Sequence, residues 1–65
     1  MKLLINGESH DVTTSTLAAL LRDLNYSGSW LATARNGEMV PAVERDQCWL
    51  AEGDHVEILS PMKGG

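Results

Sequence analysis

Thr13-Thr14-Ser15-Thr16-Leu17-Ala18-Ala19-Leu20-Leu21-Arg22-Asp23-Leu24, residues 13–24, is the stretch whose reading decides the fold. Its four hydroxyl residues offer N-caps, because a side-chain oxygen there can accept from the free N–H groups of a helix start. Leu17, Leu20, Leu21 and Leu24 then recur at i, i+3, i+4 and i+7. They form one apolar stripe, with Arg22 and Asp23 outside it. The helix is expected to stop near Asn25 or Tyr26, before Ser27 and Gly28. A helix with one leucine stripe must bury it against one surface, and the rest of the chain reads as strand.

Strands are expected on both sides of that helix. Met1 to Asn6 is an apolar run centred on Leu3, Leu4 and Ile5. Asn6-Gly7 is a hairpin signal, since a type I′ turn needs positive φ at both central positions. A return strand follows at about His10 to Val12. Beyond the helix, Trp30 to Arg35 reads as a strand with Ala32 and Ala34 on one face and Thr33 and Arg35 on the other. Asn36-Gly37 is the second turn, and Met39-Val40 is a short strand stopped by Pro41. Ala42 to Leu50 is irregular with room for a short helical turn. Glu52-Gly53-Asp54 is a tight turn. His55 to Leu59 is the last strand, with Val56 and Ile58 facing one way and His55, Glu57 and Leu59 the other.

Hairpin, helix, hairpin, turn, strand is the layout of an α+β, β-grasp domain. It predicts a small mixed sheet of four or five strands, covered on one face by one helix. The first and last strands are expected side by side and parallel. Residues 1–59 form the domain and residues 60–65 a tail. Leu3, Ile5, Leu17, Leu20, Leu21, Leu24, Val56 and Ile58 are the expected core, because the helical and strand periodicities agree on them.

The chain has 65 residues, enough for one domain. Phe is absent, so Leu, Ile and Val must fill a small core that buries about 60% of the unfolded surface. A net charge of -4 argues against binding to nucleic acid or an anionic membrane, both of which call for basic patches. Cys48 is the single cysteine, so no internal disulfide forms and a reducing compartment is expected. No apolar run approaches the roughly 18 residues of a membrane span and no secretory signal opens the sequence, so the cytoplasm is the expected location. No phosphate-cradling GxxxxGK is present, and His10, His55 and Cys48 are not spaced as a metal site. No serine or cysteine has a sequence-evident base and orienter.

Gly64-Gly65 closes the sequence. Two residues without Cβ let a tail lie extended in a narrow slot, where a second protein can reach the terminal carboxylate. Read together, Asn6-Gly7-Glu8, the Thr16 to Leu21 helix (TLAALL), Ala32 to Pro41 (ATARNGEMVP) and Glu52 to Gly65 (EGDHVEILSPMKGG) resemble the thiamin-biosynthesis sulfur carriers, a ubiquitin-like family. The resemblance covers nearly the whole chain. It implies that Gly65 is adenylated by an E1-like adenylyltransferase that uses ATP, with Gly64 as spacer. A persulfide donor then converts it to a thiocarboxylate, which thiazole synthase consumes. The chain would be a carrier acted on by enzymes, with no cofactor of its own.

Two departures from the family's pattern stand out. Ala42 follows Pro41 where the family often has arginine. Thr33 and Arg35 replace valines, on the face expected to point away from the helix. Leu59 has the opposite strand parity to Val56 and Ile58, so it should be exposed at the root of the tail. Leu59, Met62 and Lys63 are therefore the expected partner contacts. Cys48, beside Trp49 and Leu50, is expected to pack as a small hydrophobe. His10 and His55 are expected at the surface. Trp30 and Trp49 are either exposed anchors or partial core. The acids are expected to be solvated, with Asp54 and Glu57 placed to steer a partner. The resemblance leaves rivals: the small subunit of molybdopterin synthase, a ubiquitin-like modifier, or an interaction module with an inert tail. The short gap between helix and third strand, Asn25 to Ser29, favours the thiamin carrier over the molybdopterin subunit.

Overall fold

The computed structural model describes residues 1–26 and 31–60. Among the described residues, five strands and one α-helix run in the order β1 (Lys2–Ile5), β2 (Glu8–Asp11), α1 (Leu17–Asp23), β3 (Ala32–Arg35), β4 (Glu38–Met39) and β5 (His55–Leu59). A 3₁₀ helix, Ala42–Gln47, lies between β4 and β5. The sheet order is β2-β1-β5-β3-β4. β1 and β5, first and last in sequence, sit together in the middle and are parallel, with Ile5 opposite Val56. Every other pairing is antiparallel.

Both Asn-Gly pairs make the turns their composition calls for. Asn6 and Gly7 have φ of 50° and 83°, and Asn36 and Gly37 have 51° and 85°. Asparagine enters this left-handed region more readily than other residues with a Cβ, and glycine enters it freely. These tight turns let β2 start at Glu8, earlier than the expected His10. They likewise start β4 at Glu38.

Thr16 is the N-cap of α1, its Oγ1 accepting from the Ala19 N–H at 3.2 Å. The helix ends in a Schellman motif. Asn25 takes φ of 67°, the Tyr26 N–H donates to the Leu21 carbonyl at 2.9 Å, and the Asn25 N–H donates to Arg22 at 3.1 Å. Tyr26 also packs against the core. Asn25 thus occupies the left-handed position at which a helix end most often has glycine.

Leu3, Ile5, Leu17, Leu20, Leu21, Val56 and Ile58 are buried in one cluster, and Leu24 packs against it partly buried. The cluster also takes in Val12, Leu31 and Leu50. Cys48 is a half-buried free thiol packed against this cluster. The Leu17 N–H donates to the Cys48 carbonyl at 2.9 Å, fixing the start of the helix against the chain entering β5.

Thr33 and Arg35 face the opposite way from expectation. They lie opposite Ile58 and Val56, so they share the helix-covered face, and Thr33 is only 2% exposed. Leu31, of the same parity, is buried with them. The two alanines, Ala32 and Ala34, lie opposite Leu59 and Glu57 on the open face. Thr33 and Arg45 are tolerated inside because each finds a partner. Thr33 Oγ1 donates to the Val40 carbonyl at 2.8 Å and accepts from Arg45 Nε at 3.1 Å. Arg45 Nη2 donates to the Leu31 carbonyl at 2.7 Å. Arg45, 8% exposed, thereby ties the 3₁₀ helix to β3.

Candidate functional site at the end of the last strand

The last strand, β5, is held by side chains as well as by its backbone ladder. Both turn asparagines reach across to it. Asn6 Nδ2 donates to the Ile58 carbonyl at 3.1 Å, and its Oδ1 accepts from the Ile58 N–H at 2.9 Å. Asn36 Oδ1 accepts from the His55 N–H at 2.9 Å, and its Nδ2 donates to Asp54 Oδ1 at 3.0 Å. Each asparagine side chain therefore replaces a backbone rung beyond the end of a neighbouring strand. An Asn-Gly signal read only as a turn misses this second role.

Asp54 anchors the start of β5. Its Oδ2 accepts from Arg35 Nε at 2.7 Å and from the Ala51 N–H at 2.8 Å. At 7% exposure it is buried, contrary to its expected part in steering a partner. Burial pushes its carboxyl upward. The hydrogen bonds from Asn36, Ala51 and Arg35, with the Arg35 charge, outweigh burial and hold it below the usual carboxylate range. The hydrogen bond to Asp54 raises Arg35 in turn. The turn before Asp54 is held as well, the Asp54 N–H donating to the Ala51 carbonyl at 3.0 Å with Gly53 at φ of 85°. Glu52 Oε1 accepts from the Lys2 N–H at 3.0 Å, joining this turn to β1.

With its start and middle held, β5 presents His55, Glu57 and Leu59 on the open face. Leu59 is 67% exposed, because its neighbour Ala32 is too small to cover it. Ala32, Ala34, Met39, Glu57 and Leu59 border a shallow groove of about 190 Å³. Met39 is exposed as well, so the groove is apolar at both ends with one carboxylate beside it. An exposed leucine and methionine flanking two alanines offer a surface that a partner's apolar side chains can fill.

The sequence model of the ThiS family matches residues 3–65. This chain belongs to the ThiS family. Over 66 aligned positions, 100% of this chain, it is 39% identical to a thiazole synthase of Paramagnetospirillum magneticum and spans 20% of that protein's length. The chain is thus about a fifth as long as the curated relative it matches. The crystal structure of thiamine biosynthesis protein ThiS from Geobacter metallireducens superposes with a TM-score of 0.84 at 29% identity, over 100% of both chains. The solution structure of a thiamine biosynthesis protein from the same organism gives 0.81 at 29% identity, over 100% of this chain and 88% of the other. The ubiquitin-like β-grasp fold read from the element order is the fold of this ThiS-family chain.

Gly64, Gly65, Met62 and Lys63 lie outside the described residues, as does Trp30. Leu59 is exposed at the end of the last strand, as strand parity predicts. Trp49 is 64% exposed, an outward side chain on a backbone bridged to Thr16. His55 is exposed and His10 half-exposed, with His10 Nε2 3.7 Å from Glu8. Cys48 borders a cleft of about 370 Å³ with Arg35, Glu38 and Glu44. Among the described residues no group of three or more His, Cys, Asp or Glu is placed to hold a metal ion. No described helix is long and apolar enough to cross a membrane. The buried Arg45 carries no local sequence signal, because its partners, Thr33 and the Leu31 carbonyl, lie 12 and 14 residues away along the chain.

Proposed function

We propose that the chain carries sulfur for thiamin thiazole synthesis in the cytoplasm, with Gly65 as the reacting residue and Gly64 as its spacer. The observation that carries this reading is the family match, which runs through both glycines to residue 65. A carboxylate is resonance-stabilised and resists attack by sulfur, so it must first be activated. A Gly65 carboxylate oxygen attacks the α-phosphorus of ATP on an E1-like adenylyltransferase, and pyrophosphate leaves. The terminal sulfur of a persulfide donor then attacks the acyl carbon and AMP leaves. A second thiol then attacks the donor-side sulfur of this acyl disulfide, the S–S bond breaks, the thiocarboxylate leaves, and the two thiol sulfurs remain joined as a disulfide. ATP belongs to the partner enzyme, and the chain itself is a co-substrate that binds no cofactor.

Thiazole synthase is the proposed acceptor. The 39% identity to part of a thiazole synthase supports this, since a carrier-like segment joined to a synthase acts at high effective concentration. Leu59 and Met39 on the open sheet face, with Met62 and Lys63 in the tail, are the proposed contacts for the adenylyltransferase. The tail beyond Leu59 can span at most roughly 20 Å when extended, enough to enter a buried site while the folded body stays outside.

The test is intact mass after incubation with the cognate adenylating enzyme, ATP and a persulfide source. Replacement of one carboxylate oxygen by sulfur adds about 16 Da. A folded chain that neither gains this mass nor supports pyrophosphate release overturns the proposal. Chains with Gly65→Ala or with Gly65 deleted should stay folded and fail in the same assay.

A further inference from the structure

Asn36 stands before Gly37 in a type I′ turn, and Asn6 before Gly7 in another. With no Cβ to obstruct it, a glycine nitrogen has the freest approach to the side-chain carbonyl of a preceding asparagine. The chemistry needs only water. The Gly37 nitrogen bonds to Asn36 Cγ, the bond from Cγ to the side-chain nitrogen breaks, and ammonia leaves with the glycine proton. Water then adds to either carbonyl of the resulting succinimide and reopens it as an aspartyl or isoaspartyl residue. No electrons are transferred.

The geometry holds Asn36 away from this reaction while the domain is folded. Its Oδ1 accepts from His55, its Nδ2 donates to Asp54, and its own N–H donates to the His55 carbonyl at 2.7 Å. Cγ cannot swing toward the Gly37 nitrogen without breaking both side-chain bonds. The product is as constrained as the reactant. A carboxylate at position 36 cannot donate to Asp54, and it sets a negative oxygen where an amide now lies 3.0 Å from a buried carboxylate. Asn6 is held in the same way, but its Nδ2 faces the neutral Ile58 carbonyl, so the charge conflict is specific to Asn36.

We propose that Asn36 is a deamidation site gated by opening of the β3–β4 hairpin, and that its conversion unfastens β5, the strand leading into the tail. Opening breaks the bonds to His55 and Asp54 together and frees Cγ for attack. Reclosing then meets like charges at the start of β5, where Asp54 has lost one of its three donors. An isoaspartyl product also lengthens the backbone by one methylene inside a two-residue turn, which the paired strands cannot absorb.

The full chain is incubated at mildly alkaline pH with and without denaturing urea. The peptide containing Asn36 is then followed by mass for exchange of the amide for an acid. Exchange at Asn36 should be slower by at least about tenfold in the folded protein, because reaction must wait for opening. Equal rates in the two conditions overturn the gating. Asn36→Asp, made directly, should unfold at lower urea than the parent, and Asp54→Asn in the same chain should recover part of the loss. An Asn36→Asp chain as stable as the parent, or one whose loss Asp54→Asn does not relieve, overturns the charge conflict.

Discussion

Replacing Asp54 with alanine tests whether the start of β5 is held by charge or merely by chain connectivity. Three donors converge on this carboxylate: Arg35 Nε, the Ala51 N–H and Asn36 Nδ2. A hydrogen bond to an ionised group contributes about 1.5–3 kcal/mol. The Arg35 side chain is 36% exposed, so water recovers much of its loss, and its share falls toward that of a surface pair. The Ala51 and Asn36 donors lie in partly buried bonds and lose their acceptor. Together the substitution should cost roughly 3–4 kcal/mol. A domain of this size holds on the order of 3–10 kcal/mol in all, so the loss is a large part of its stability.

The same residue sets a pH signature. The Asp54 carboxyl is held below its ordinary range when folded. Its contribution is therefore complete above the unfolded value of about 3.9, and it is lost as pH falls through the lower folded value. Arg35, raised by its partner, keeps its charge throughout this window. Urea unfolding followed by circular dichroism at about pH 7 and about pH 2–3 should show the parent losing more stability than Asp54→Ala between the two. The gap between the proteins should narrow on acidification. A gap that stays constant with pH, or a cost under about 0.5 kcal/mol at neutral pH, refutes the reasoning.

Other substitutions probe the remaining parts. Leu21→Ala, in the buried helix stripe, should cost on the order of 2–5 kcal/mol in urea unfolding. Leu59→Asp, on the exposed face, should change stability by no more than about 0.5 kcal/mol while weakening binding to the adenylating enzyme in a titration. Thr33→Val removes the acceptor for Arg45 Nε in the interior and should destabilise by about 1–3 kcal/mol. Adding Arg45→Met to Thr33→Val should cost less than the two single changes summed, because no buried donor is then left unpaired.

Much of the fold is legible without coordinates because its determinants are local. Leucine spacing defines the helix and its buried face, the hydroxyl run contains the Thr16 cap, and each Asn-Gly pair marks a turn. Alternation in His55 to Leu59 separates the core residues Val56 and Ile58 from the exposed Leu59. The order of these elements leaves few arrangements in which one helix covers one sheet, and the parallel β1–β5 pair follows.

The departures at Thr33, Arg35 and Asp54 share one origin, since these side chains have partners distant in sequence. Thr33 and Arg35 read as outward because they are polar, yet register with Ile58 and Val56 turns them inward. Arg45, twelve residues beyond Thr33, and Asp54, nineteen beyond Arg35, are what make that position bearable. Asp54 reads as a solvated acid for the same reason. Local composition determined the elements and the buried faces of α1, β1 and β5, while the buried face of β3 was set by its register with β5. Only the tertiary structure decided which polar groups meet, because a buried charge or hydroxyl is stable when a specific donor or acceptor arrives from elsewhere in the chain.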